Sequence, residues 1–200
     1  MLVKLVLGFL GVILFLFIFW KRLREDYSSD IIFQTATSVL VGLGLGLLAA
    51  KLFFPMWFFW LALLGGVAGM SLMLLKFRLK FYEALEAFIL ACLPLATLMF
   101  FQDSIVHSTL NSFLAFVVSL VFIFFAYWID LNYKGFAWYK SGKIGFTGLF
   151  IAAFYFLTRA VIAIAGFSVV SFVGQYEVFF SGIITLIGVG LLINLGRVQE

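Results

Sequence analysis

The chain carries one cysteine, one histidine and two prolines in 200 residues, and only 11% of its positions are charged. The lone Cys92 rules out an internal disulfide and a cluster of thiolate ligands. With His107 as the only imidazole, the sequence offers no metal-ligand cluster, no Ser-His-Asp arrangement, no paired catalytic carboxylates and no phosphate-cradling glycine loop. Neither a metal nor a cofactor is expected. The scarcity of charge excludes a water-soluble domain, because 66% of the residues are hydrophobic and a chain of this length cannot bury them all. The protein is read as integral to a membrane and all-α. Its net charge of +4 has to be located relative to the spans before it means anything.

Windows of about 20 apolar residues mark seven spans: Leu2 to Trp20, Ile31 to Ala50, Trp57 to Leu75, Phe81 to Phe101, Phe113 to Ile129, Ile144 to Ala165 and Val178 to Gly196. The first is too long for a secretory signal, has no small-residue cleavage site and ends in the charged block KRLRED, so it reads as a retained helix. No soluble domain or low-complexity linker separates the spans, and residues 1–200 are expected to form one seven-helix domain. Ten of the thirteen basic residues fall on alternate connections: Lys21, Arg22, Arg24, Lys76, Arg78, Lys80, Lys134, Lys140, Lys143 and Arg197. The positive-inside rule then places the N-terminus outside and the C-terminus in the cytoplasm, and leaves no basic patch for nucleic acid. Ser28, Ser29 and Asp30 offer caps to the second span. Trp57, Trp60, Trp128, Trp138 and Tyr139 read as interfacial anchors. Pro55 breaks the chain between spans two and three, and Pro94 lies inside span four, where it frees a backbone carbonyl.

Glycine is placed with a pattern. Gly42, Gly44 and Gly46 in VGLGLGLLAAK, and Gly65, Gly66 and Gly69 in LALLGGVAGM, stand in apolar runs with no polar side chain beside them. Such small residues let helix backbones approach closely in lipid. Charges inside or near the spans are few. Counting about 1.5 Å per residue from Ile144 places Arg159 deep in span six, where a charge must face protein, water or a lipid headgroup. Its structural alternatives are snorkelling to the interface or a bond to a helix end. His107 and Asp103 lie four apart in what reads as the outer loop DSIVHST, where an acid and a base can act together or simply be solvated. Glu83 and Glu86 share a helix face with Lys80, a pattern that fits an interfacial ion pair or a helix N-terminus better than a transport site. The intramembrane Ser and Thr residues, Thr35 and Thr97 among them, are expected to bond within or between helices.

The order of these features resembles the bacterial prolipoprotein diacylglyceryl transferase family over most of the chain. VGLGLGLLAAK has the shape of that family's glycine-rich second span, with Lys51 where the family carries arginine. LLGGVAGMSLMLLKFRLKFYEALEAF follows the order of its third and fourth spans, with Glu86 at the acidic position. GKIGFTGLFIAAFYFLTRAV is similar to its sixth span, including the deep Arg159, and GQYEVFFSGIITLIGVGLLINLGR to its closing helix. The family's histidine falls on Leu64, and FFQDSIVHS holds none of its arginine and Gly-Asn signature.

The resemblance implies a seven-span protein of a bacterial inner membrane whose partner is a phospholipid such as phosphatidylglycerol, or another membrane protein, with no nucleic acid involved. Moving a diacylglyceryl group onto a cysteine thiol needs a base for the thiol and cations for the phosphate. Leu64 supplies neither. Arg159 and Lys51 are the residues that the resemblance points to for a lipid phosphate, and Arg159, His107 and Asp103 the remaining catalytic candidates. The expected function is a non-catalytic, lipid- or partner-binding member of this scaffold class. An active phosphatidylglycerol-dependent transferase acting on lipoprotein cysteine is the alternative, and a small transporter or channel is the third reading.

Overall fold

The computed structural model describes residues 2–132, 145–167 and 169–197. Among the described residues seven helices are long and apolar enough to cross a membrane, and there is no strand. They are α1 (Leu2–Leu23), α2 (Ser29–Phe53), α3 (Phe58–Phe77), α4 (Phe81–His107), α5 (Leu110–Asn132), α6 (Phe146–Ile164) and α7 (Tyr176–Arg197), with a short 3-10 turn at Pro55–Trp57. Pro55 opens that turn and Pro94 lies within α4, where it cannot donate to the carbonyl one turn back. Ser28 stands at the N-cap of α2 in extended conformation but makes no side-chain capping bond. Trp138, Tyr139, Lys134, Lys140, Lys143 and Ile144 lie outside the described residues.

α4 is the axis of the bundle, in contact with α1, α3, α5 and α6. Its Ala84, Ala87, Phe88 and Ala91 recur at helical spacing on one face, and the small side chains there admit Phe15 and Phe19 of α1, which are fully buried. Leu90 and Leu93 on its other side join a second core with Phe122 and Ile129 of α5, Phe146, Leu149 and Ile151 of α6, and Leu195 of α7. The outward faces of the helices are apolar, as lipid requires.

α2 and α3 form the tightest pair, and glycine is the cause. A Cβ on Gly42 would stand 2.2 Å from the carbonyl oxygen of Gly65, one on Gly65 2.1 Å from that of Gly42, and one on Gly46 2.1 Å from that of Leu61. One on Gly69 would stand 2.4 Å from the oxygen of Ser38, whose hydroxyl in turn donates to Gly69 O at 3.0 Å. Gly66 faces Leu43 and Phe88. Gly44 differs from the rest. Nothing lies within 4 Å of its missing Cβ, so close packing does not account for it. Hydroxyls elsewhere bond back one turn within their own helices, as Thr35 does to Ile31 O, Ser71 to Val67 O and Thr97 to Leu93 O.

The contact geometry predicts an asymmetric glycine series. Gly42→Ala should lower the midpoint of thermal unfolding in detergent by about 5 °C, as overpacking against backbone does, whereas Gly44→Ala should leave it unchanged or slightly raised. Equal midpoints for the two variants would show that the α2–α3 approach is not limiting.

Candidate functional site

The polar interior lies where the C-terminal part of α6 meets the starts of α3 and α7. Arg159, five residues before the end of α6, is only 4% exposed. Its Nε donates to Glu177 Oε1 at 2.8 Å, and Nη2 lies 2.7 Å from the same oxygen. Nη1 donates to Ser171 Oγ at 2.9 Å, and Nη2 to the Ser171 carbonyl at 3.2 Å, which ties the α6–α7 link to the pair. Glu177 is fully buried in the first turn of α7, where a carboxylate also complements the helix dipole. Its Oε1 also accepts from Ser181 Oγ at 2.7 Å, and its Oε2 from Trp60 Nε1 at 3.0 Å and the backbone N–H of Val173 at 3.4 Å. Aromatic faces close the cage: the guanidinium carbon stands 4.0 Å from the Phe59 ring centre and 4.8 Å from that of Phe172.

These contacts change the reading of two residues. Trp60, expected at the interface, is buried because its indole N–H serves Glu177. Arg159 neither snorkels nor stands as a free cation, since a carboxylate neutralises it inside the bundle. Glu177 had no place among the sequence candidates. The signal for it was an acid on the far side of a short link from a deep arginine, which puts opposite charges near the same end of two consecutive helices.

Lys51 is exposed near the end of α2, and among the described residues no hydrogen bond or ion pair joins it to Arg159. Leu64, at the position of the resembled family's histidine, is 62% exposed and faces away from the bundle. Asp103 and His107 are brought together, but not in a loop. α4 runs on to His107, and only Ser108 and Thr109 separate it from α5. His107 Nδ1 is 2.8 Å from Asp103 Oδ1, while Thr109 Oγ1 at 3.2 Å and the Ser112 hydroxyl donate to Oδ2. The carboxylate is thus the hub, and the arrangement ties a helical hairpin together.

At the opposite end, Arg22 of α1 lies 2.7 Å from Asp130 of α5 and 3.6 Å from Glu86 of α4. Glu86 is buried and accepts from the Gly145 N–H at the start of α6, and a Cβ on Gly148 would stand 2.7 Å from its Cα. Glu83 instead takes the Lys80 ammonium at 2.8 Å and the Tyr27 hydroxyl at 2.9 Å. That bond holds Lys80 above its ordinary pKa, with the charge of Glu83 acting in the same direction.

Between the two charged ends lies an apolar cavity of about 450 Å³, walled by α2, α3, α4 and α6 with Val12 of α1, and including Leu40, Gly44, Phe88, Met99 and Phe156. A second, of about 290 Å³, lies among α4, α5, α6 and the α6–α7 link, with Phe100, Ser119, Thr158, Arg159 and Phe172 in its walls. Tyr155 lines both. Among the described residues no group of three or more metal-ligating side chains occurs. The chain matches no known family model, no characterised protein and no solved structure.

Burial of the ion pair fixes what its removal should do. Arg159→Met strands the Glu177 carboxylate and should cost about 3–5 kcal/mol of stability, while the double variant Arg159→Met/Glu177→Met should recover most of that loss. Denaturant titration of the single and double variants in detergent measures the coupling. Additive losses would show that the pair is not a unit.

Proposed function

We propose that the chain is a non-catalytic, lipid-binding membrane protein on a scaffold like that of the prolipoprotein diacylglyceryl transferases, seated in a bacterial inner membrane with its N-terminus outside. The observation that carries this reading is the cavity of about 450 Å³, whose walls are almost wholly apolar. Its size is that of a small-molecule site, and its walls suit an acyl or isoprenoid chain better than a polar solute. Two further observations weigh against transfer chemistry. The charge of Arg159 is taken up by Glu177, which leaves little to stabilise phosphate charge in a transition state. A base at position 64 would point away from the cavity wall formed by Ala62 and Leu63.

The test has two parts. Lipid extracted from the purified protein should fall by about half or more in Gly44→Leu or Ala96→Phe, which direct new bulk into the cavity. Incubation with labelled phosphatidylglycerol and a lipobox peptide should give bound lipid and no labelled peptide. Labelled peptide would overturn the non-catalytic reading, and wild-type protein free of lipid would overturn lipid binding itself.

A further inference from the structure

The Tyr155 hydroxyl is buried with no hydrogen-bond partner among the described residues, in a side chain 9% exposed that lines both cavities. A hydroxyl left in this state is costly, so a native structure that keeps one calls for an explanation. Water in the larger cavity explains it poorly. A buried water needs two to four polar partners, and apart from Tyr155 the side chains that wall this cavity offer only the thiol of Cys92 and the thioether of Met99. Among the donors near it, Arg159 is engaged with Glu177 and Ser171, Trp60 with Glu177, and Thr158 with Phe154 O.

Depth and charge narrow the partner. Tyr155 is the midpoint of α6, nine residues from Phe146 and nine from Ile164. At 1.5 Å per residue that is about 14 Å from either end of the helix, close to the middle of a hydrocarbon layer of about 30 Å. The ester carbonyls of a phospholipid sit beside its headgroup at the interface, and drawing them to this depth would bring the headgroup charge along. The cation nearest to hand is already neutralised and gives an anion no compensation. We infer that the cavities at Tyr155 bind an uncharged, membrane-soluble molecule that presents a carbonyl oxygen to the Tyr155 hydroxyl, with its apolar body among Phe59, Phe88 and Phe156. Quinones and neutral acylglycerols share this chemistry. The inference rests on the lipid-binding reading and names the class of ligand.

Labelled decyl-benzoquinone and dioctanoylglycerol as uncharged carbonyl probes, and palmitate and dioctanoyl phosphatidylglycerol as charged ones, would be titrated onto the purified wild type and onto Tyr155→Phe. Tyr155→Phe keeps the ring that packs edge-on against Phe122 and removes only the donor. At least one uncharged probe should bind the wild type more tightly than either charged probe, and about tenfold more tightly than it binds Tyr155→Phe. Which uncharged probe does so identifies the source of the carbonyl. Unchanged affinity in Tyr155→Phe would overturn the inference. Tighter binding of a charged probe would overturn it too, while leaving lipid binding standing. Failure of all four probes would remove both.

Discussion

An arginine held inside a lipid-embedded bundle must be answered by the protein itself, and the way Arg159 is answered organises one end of this molecule. Glu177 brings the start of α7 against α6, Ser171 fastens the link between them, and Trp60 brings in α3. Each partner is there because the alternative is a charge or a dipole unpaired in hydrocarbon. The arrangement is therefore collective. Its members are drawn from three helices and a link, and removing one leaves the others buried without their complement.

The same need appears at the other end in a looser form. Arg22 answers Asp130 closely and Glu86 at longer range, and Glu86 takes up backbone N–H at the start of α6. Among the described residues the buried ion pairs thus lie in two layers, with α4 running through both cores between them. The apolar middle is where α2 and α3 close on each other through glycine and where the larger cavity opens beside them. Gly44 belongs to that opening: it lines the cavity, while Gly42 and Gly46 on either side of it pack against the backbone of α3.

Much of this was legible in the sequence, for identifiable reasons. Seven spans can be read because runs of apolar residues have no other stable place, and the glycines of α2 and α3 because lipid removes the hydrophobic motive for packing and leaves close contact as the main one. The end of α4 was not legible. Polar residues end the apolar window near Phe101, yet the helix continues because Asp103 is satisfied from across the hairpin by Thr109 and Ser112. The depth of Arg159 could be counted along the chain, but its partner could not, since pairing is decided by which helices are neighbours. Trp60 was misleading for the same reason: an aromatic near the start of a span looks like an anchor until its indole N–H is seen to serve a carboxylate. Tyr155 carried no signal at all, being one more ring in a chain with 28 phenylalanines.

The contact between Arg22 and Asp130 bears on how the protein is made. The two residues are 108 positions apart. A ribosome adding about 5–20 residues per second leaves α1 waiting on the order of 5–20 seconds for the last of its charged partners to be synthesised. During that interval α1 gains α2 and then α4 to pack against, while its basic end still lacks the closest of its charged partners. Completion of that contact is consequently a late event, and a translocon or chaperone that shelters early helices has a client here whose basic end is fully answered only once most of the chain has been made.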